Sequence, residues 1–220
     1  MLDRDEVKRR IIEAKVIAVL RADNVGVASE LMWACVEGGI KIVEFTTSIP
    51  GWESLLELAC GECGDGIVLG LGTVVTQEDV TKAIDLGASF IVSPYISQDV
   101  MEAATIEDVA VIPGALTPGE VAMAYSMSAD MVKIFPASSV GGPKYIRSLL
   151  GPMPRWDLIP TGGVTPDNAI EYFRAGAAAV GIGTNIAPAD KISSGDWDSV
   201  TDAVRQFMDR LNRQLEEGIQ

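Results

Sequence analysis

Eight times along the chain, a short apolar run rich in β-branched residues ends in small polar, Gly or Pro residues and gives way to an amphipathic helical stretch. The runs lie at 16–21, 41–46, 67–73, 89–94, 109–114, 130–135, 157–162 and 179–184. They are apolar at consecutive positions, which suits strands covered on both faces, as in a parallel sheet layered with helices. Eight similar units close into a barrel, and right-handed crossovers permit that closure. An open doubly wound sheet is the structural alternative. A charged helix over about 3–14 precedes the first run, and no linker, charge block or low-complexity stretch divides the chain. The expectation is a single α/β domain over 1–220, a (β/α)8 TIM barrel with an additional N-terminal helix.

Helix starts repeat as well. Thr76, Thr117 and Thr165 each follow a Gly-containing strand end, and each is a good N-cap. Glu120 stands at the capping-box position for Thr117, while Pro118 and Pro166 fall where a first helical turn accepts proline. The final helix is expected over about 197–216, with Val200, Val204, Phe207, Met208 and Leu211 on one face.

Composition removes several classes of function. The chain has no histidine, which excludes His-based triads and most zinc hydrolase designs, so acid–base work falls to Glu, Asp, Lys, Tyr or Cys. A formal net charge of −14 argues against nucleic acid or an anionic membrane as partner. Apolar stretches are interrupted well before the ~18 residues of a membrane span, and the N-terminus lacks the apolar core of a secretory signal. Three cysteines in such a chain favour free thiols and a cytoplasmic location. Cys60 and Cys63 form a C-x-x-C at the end of an expected helix, with no second pair to complete a metal site. The plain reading is two half-buried thiols, and no metal or cofactor is implied.

Two charged residues interrupt apolar strands: Glu44 in IVEF and Lys133 in MVKIF. One reading is a structural ion pair in the core. The other is chemical. Desolvation disfavours a charged ammonium, and a neutral lysine amine can attack a ketone to form a Schiff base, with Glu44 moving protons. A second signal lies after the last two strands, where barrels often bind phosphate. There PTGGV (160–164) and GIGTN (181–185) supply glycines that let backbone N–H groups approach an oxyanion. Glycine also makes tight turns, so each run alone is weak. Arg21, ending the first strand, is either an anion contact or a rim salt bridge.

Nine segments in order, AVLRADN, EGGIKIVEFT, GLGTV, IVSP, VIPGALTP, VKIFPAS, GGPKYIRSLLGP, IPTGGV and GIGTNI, span almost the whole chain. Together they resemble the 2-keto-3-deoxy-6-phosphogluconate aldolase / 4-hydroxy-2-oxoglutarate aldolase family. The resemblance implies Lys133 as the Schiff-base lysine and Glu44 as general acid/base. It implies Thr73 as a contact of the pyruvyl carboxylate, and Phe135 and Pro94 as walls of that pocket. Thr161, Gly162, Gly163, Gly183 and Thr184 would hold phosphate. It implies a class I aldolase of the Entner–Doudoroff type, acting on a phosphorylated 2-keto acid, and a homotrimer.

Three positions depart from the family's pattern. Ser48 stands where well-known members carry an arginine that grips the substrate carboxylate, and a serine offers one weaker hydrogen bond in its place. Tyr95 replaces a common Gly, and Leu71 a common Ala. These changes spare the Lys–Glu pair and leave the substrate open among the gluconate substrate, its galactonate epimer and 4-hydroxy-2-oxoglutarate. The competing expectation is a phosphate-binding sugar-phosphate isomerase or epimerase, with Glu44 as base and no covalent intermediate.

Overall fold

In a computed structural model, residues 2–218 are described. The chain begins with α1 (Arg4–Ala14), capped by the Asp3 side chain, which accepts from the Glu6 backbone N–H. Parallel strands and helices then alternate: β1 (Val16–Leu20), α2 (Val25–Glu37), β2 (Ile42–Thr46), α3 (Trp52–Glu62), β3 (Val68–Gly72), α4 (Gln77–Asp85), β4 (Phe90–Val92) and α5 (Gln98–Ile106). After them come β5 (Ala110–Ile112), β6 (Gly114–Ala115), α6 (Pro118–Ser126), β7 (Val132–Ile134), α7 (Pro143–Leu150), β8 (Leu158–Pro160), α8 (Ala169–Arg174) and β9 (Val180–Ile182). Two more helices, α9 (Ala189–Ser194) and α10 (Trp197–Glu217), end the chain.

The strands form a parallel six-stranded sheet, β5-β4-β3-β2-β1-β9, and a parallel three-stranded sheet, β6-β7-β8. All the pairings are parallel because a helix separates nearly every strand from the next. The run expected over 109–114 is split between the two sheets at Pro113, which has no N–H to give to a ladder. Its carbonyl still accepts from the Lys133 N–H at 3.0 Å.

Side chains alternate along each strand, and the alternation builds two separate cores. Val16, Ala18, Leu20, Val43, Phe45, Leu69, Leu71, Val132 and Ile134 pack outward against the helices. Ile17, Val19, Ile42, Val68, Phe90, Ile112, Met131 and Ile159 meet on the opposite face, joined by Val7 and Ile11 of α1. That arrangement is why the runs are apolar at consecutive positions. Burying Val7 and Ile11 contributes about 1.5–3 kcal/mol each. Three of the four tryptophans pack partly buried against the outer core, and Trp52 is fully part of it.

Two of the expected helix caps are present. The Thr76 side chain accepts from Asp79 N–H, and Thr117 forms a reciprocal capping box with Glu120. Thr165 is a correction. The helix starts at Ala169, and the Thr165 carbonyl accepts from Asn168 and Ala169 N–H groups while the Asn168 side chain accepts from Thr165 N–H. Asn168 reaches back and takes over the turn, so a tight turn precedes the helix. The final strand is also shorter than expected. It ends at Ile182 and passes into a 3-10 turn, Thr184–Ile186, followed by α9, which the sequence pattern does not signal. Among the described residues no helix is long and apolar enough to cross a membrane.

Candidate active site

Glu44 and Lys133 lie on the inner face of their strands, one alternation beyond the apolar residues Ile42 and Met131. Glu44 is in register with Val19 and Gly70, and Lys133 with Gly114 and Ile159. Although 89 residues apart in sequence, the two meet with Lys133 Nζ 3.3 Å from Glu44 Oε1. Their side chains are 6% and 3% exposed, so the contact is made out of water. The other ion pairs described are far more exposed, Arg4–Asp130 being the nearest to burial at 20% and 12%. A pair held in this way is charge-assisted but expensive to bury, and stability alone gives little reason to keep it.

The neighbours leave room for this pair. A Cβ at Gly72 would collide with the Glu44 carboxylate, so glycine at that position leaves the carboxylate room where it stands. A Cβ at Gly114 would collide with the Pro94 carbonyl, which brings the loop after β4 against the strand beside Lys133. The Phe135 ring centroid is 5.7 Å from Lys133 Nζ. Pro94, Gly114 and Phe135, with Tyr95, Leu116 and Glu120, line a cavity of about 370 Å³.

Beyond β3, Thr73 adopts φ 61°, a left-handed conformation that is an outlier for a β-branched residue. Its carbonyl accepts from Thr47 Oγ1 at 3.0 Å, and Thr47 N–H donates to the Gly72 carbonyl at 3.0 Å. These two bonds tie the exits of β2 and β3 together and hold the strained residue in place. Ser48 is exposed on this rim, and its hydroxyl lies 2.8 Å from Thr46 Oγ1. Arg21 is exposed at the exit of β1 and takes part in none of the ion pairs among the described residues, so the rim salt bridge does not form.

The glycine turns gather on the other side of Lys133. Thr161 is buried and pairs with Gly181 in a parallel bridge, which sets the exits of β8 and β9 side by side. Gly162 and Gly163 have φ 87° and 78°, conformations that disfavour any side chain. A Cβ at Gly162 would lie 3.2 Å from the Phe135 ring, and one at Gly163 would collide with Ser138. Ala137 N–H donates to the Thr161 carbonyl at 2.9 Å, and Ser138 N–H to the Gly162 carbonyl at 3.1 Å. Gly183 is half-buried, and Thr184 is exposed at the head of the 3-10 turn.

The site residues expected from sequence thus collect at the C-terminal ends of the strands. Lys133, Glu44 and Phe135 stand together, with Thr161 and Gly162 against Phe135 and its neighbours. Thr73 and Ser48 lie along the β2–β3 exits, and Arg21 extends outward. Sequence reasoning missed Gly72 and Thr47. Gly72 alone had a signal, a glycine in a buried strand, which marks a close approach.

A larger cavity, about 630 Å³, lies at the opposite ends of the strands, lined by Arg10, Cys60, Cys63, Asp65 and Ser89 among others. Among the described residues no hydrogen bond joins the Asp65 carboxylate in it to either thiol. Burial pushes the Cys60 thiol up to about 11 and raises that of Cys63 as well, the reverse of a reactive thiol. The smaller cavity adjoins Phe135, whose ring centroid lies 5.7 Å from Lys133 Nζ. Among the described residues no group of three Cys, Asp or Glu side chains forms a candidate metal site.

A family model described as "Aldolase: KDPG and KHG aldolase" matches residues 7–203. A 2-dehydro-3-deoxy-phosphogluconate aldolase of Pseudoalteromonas atlantica is 31% identical over 194 residues, 88% of this chain and 90% of that protein. A 2-dehydro-3-deoxy-6-phosphogalactonate aldolase of Escherichia coli is 33% identical, covering 77% of this chain and 83% of the relative. Among solved structures, a KDPG aldolase from Legionella pneumophila, with pyruvate captured as a covalent carbinolamine, superposes with TM-score 0.83 at 28% identity. That match covers 91% of this chain and 97% of the other. The chain belongs to the KDPG and KHG aldolase family, and it is an aldolase, a carbon–carbon lyase.

Proposed function

We propose that this aldolase cleaves 2-keto-3-deoxy-6-phosphogluconate to pyruvate and glyceraldehyde 3-phosphate, with 4-hydroxy-2-oxoglutarate, giving pyruvate and glyoxylate, as a second substrate. The observation that carries the reading is the buried contact of Lys133 Nζ with Glu44 Oε1 at 3.3 Å, at the exits of β7 and β2. It puts a nucleophile and a proton carrier on one reacting centre without histidine.

The unprotonated amine attacks carbon 2, and the carbinolamine loses water to give an iminium. Glu44 takes the proton of the carbon 4 hydroxyl, through a water molecule, as the bond between carbons 3 and 4 breaks. Its electron pair passes into the iminium, leaving an enamine and a free aldehyde. Glu44 returns a proton to carbon 3, and water hydrolyses the new iminium to release pyruvate and regenerate Lys133. Phe135 and Pro94 wall the pyruvyl group, Arg21 and Thr73 form its carboxylate rim, and Ser48 stands at the edge of that pocket. The turn carrying Thr161, Gly162 and Gly163, and that carrying Gly183 and Thr184, present backbone N–H groups to the phosphate.

The same reading takes 1–220 as a single domain in which the two sheets close into a (β/α)8 barrel. The Thr161–Gly181 bridge and the chain continuity of β5 with β6 through Pro113 support closure. A cytoplasmic homotrimer completes it. Membership of an aldolase family disfavours isomerase or epimerase chemistry without a covalent intermediate. The test is release of pyruvate from the two substrates under identical conditions. Faster turnover of the phosphorylated one is expected, and no pyruvate from either contradicts the proposal.

A further inference from the structure

We propose that Ser48 is a hydrogen-bond acceptor that reads a hydroxyl of the substrate, held in that role by Thr46, and that it does not grip the substrate carboxylate. The inference rests on the aldolase reading above and refines one residue of it. Thr46 is fully buried at the end of β2, on the same face as Glu44 two residues earlier. Its hydroxyl has two polar neighbours, the Leu20 carbonyl oxygen at 3.1 Å and the Ser48 hydroxyl at 2.8 Å.

A threonine has one O–H proton for those two contacts. If the proton pointed to Ser48, Thr46 and the Leu20 carbonyl would face each other with lone pairs only, in a buried place where unmatched acceptors are most unfavourable. If Thr46 donates to Leu20, Ser48 donates to Thr46 and both contacts are satisfied. The second arrangement is the one that satisfies both contacts. The single Ser48 proton is then committed inward, and its exposed side offers lone pairs alone.

An ionised carboxylate is also acceptor-only. Ser48 in this state repels it and welcomes a donor. 2-Keto-3-deoxy-6-phosphogluconate carries a hydroxyl on carbon 5, whose proton the reaction leaves in place, and pyruvate carries none. The carboxylate falls instead to Arg21, which directly follows the anchoring Leu20, and to the Thr73 turn. Thr46 touches no substrate. It is a positioning residue that acts through Ser48.

Two quantities separate these roles: KM for 2-keto-3-deoxy-6-phosphogluconate, and the pyruvate concentration that gives half-maximal borohydride trapping. Ser48→Ala should raise the aldol KM about three- to tenfold, the worth of one neutral hydrogen bond. The pyruvate value should move less than twofold. Thr46→Val frees the Ser48 proton, so the aldol KM should rise while the pyruvate value falls, and Thr46→Ser should restore both. Equal rises of both quantities in Ser48→Ala would assign Ser48 to the carboxylate and overturn the proposal. An unmoved aldol KM overturns it too, and rises of both in Thr46→Val reduce Thr46 to a structural role. No pyruvate adduct in the wild type removes the aldolase reading, and this inference falls with it. An intact adduct with unmoved constants removes this inference alone.

Discussion

The two ends of the strands share one lattice of inward-pointing residues and use it for opposite purposes. At the N-terminal ends the inner positions are Ile17, Ile42, Val68 and Met131, closed by Val7 and Ile11 of α1. Two residues further along, the same rows read Val19, Glu44, Gly70 and Lys133, and Thr46 and Gly72 follow. A single step of the strand period thus takes the row from apolar plug to a buried ion pair. The stability of the plug makes room for the buried pair above it, which contributes little stability itself. Cavity size points the other way, since the larger hollow lies at the plugged end. The proposed function follows the charged pair rather than the volume.

Variants at the two ends should separate cleanly. Lys133→Ala is expected to have the largest effect, lowering turnover about 10⁴-fold or more by removing the nucleophile. A steady-state pyruvate-release assay measures it. Glu44→Gln should lower kcat by about 10²–10⁴-fold, the range of general acid–base catalysis, and slow the formation of the pyruvate adduct. Retention of wild-type kcat would reduce Glu44 to a charge partner. Gly163→Ala puts a side chain at φ 78° against Ser138, and should raise KM for the phosphorylated substrate about tenfold more than for 4-hydroxy-2-oxoglutarate.

At the plugged end, Ile11→Ala should lower stability by about 2–5 kcal/mol through a cavity, read in denaturant unfolding, with kcat at 25 °C within twofold. A kcat loss as large as that of Glu44→Gln would erase the distinction between the ends. The smallest effect concerns the thiols. Burial disfavours the thiolate and holds Cys60 at about 11, so roughly one in a thousand Cys60 side chains is ionised at pH 8. Alkylation of Cys60 should be slow and rise about tenfold per pH unit up to that value. Fast labelling at pH 7 would contradict its burial.

What the residues disclosed in advance depended on whether identity or conformation carries the role. Glu44 and Lys133 announce themselves, since a charge inside an apolar run is costly to bury and must be paired or put to use. Thr117 and Glu120 do so through the fixed spacing of the capping box. The glycines of the TGG turn were visible as letters, but their φ values of 87° and 78° were not. Thr73 gave no sign of its left-handed backbone, because what holds it is non-local: its carbonyl accepts from the hydroxyl of Thr47 on the neighbouring strand exit. Thr165 has the composition of a cap, yet Asn168 three residues later won the turn by reaching back. Ser48 showed only as a missing arginine, and its proton economy needed Thr46 and Leu20 brought beside it.

The central claim is that Lys133 becomes covalently bound to the substrate. Incubation with pyruvate and borohydride, followed by peptide mass analysis, tests it most directly. The expected result is loss of activity together with a pyruvate-derived mass increment on the peptide containing Lys133, and no such increment in Lys133→Ala. An unmodified Lys133 under conditions of turnover, or an adduct confined to another lysine such as Lys15 or Lys144, would contradict it.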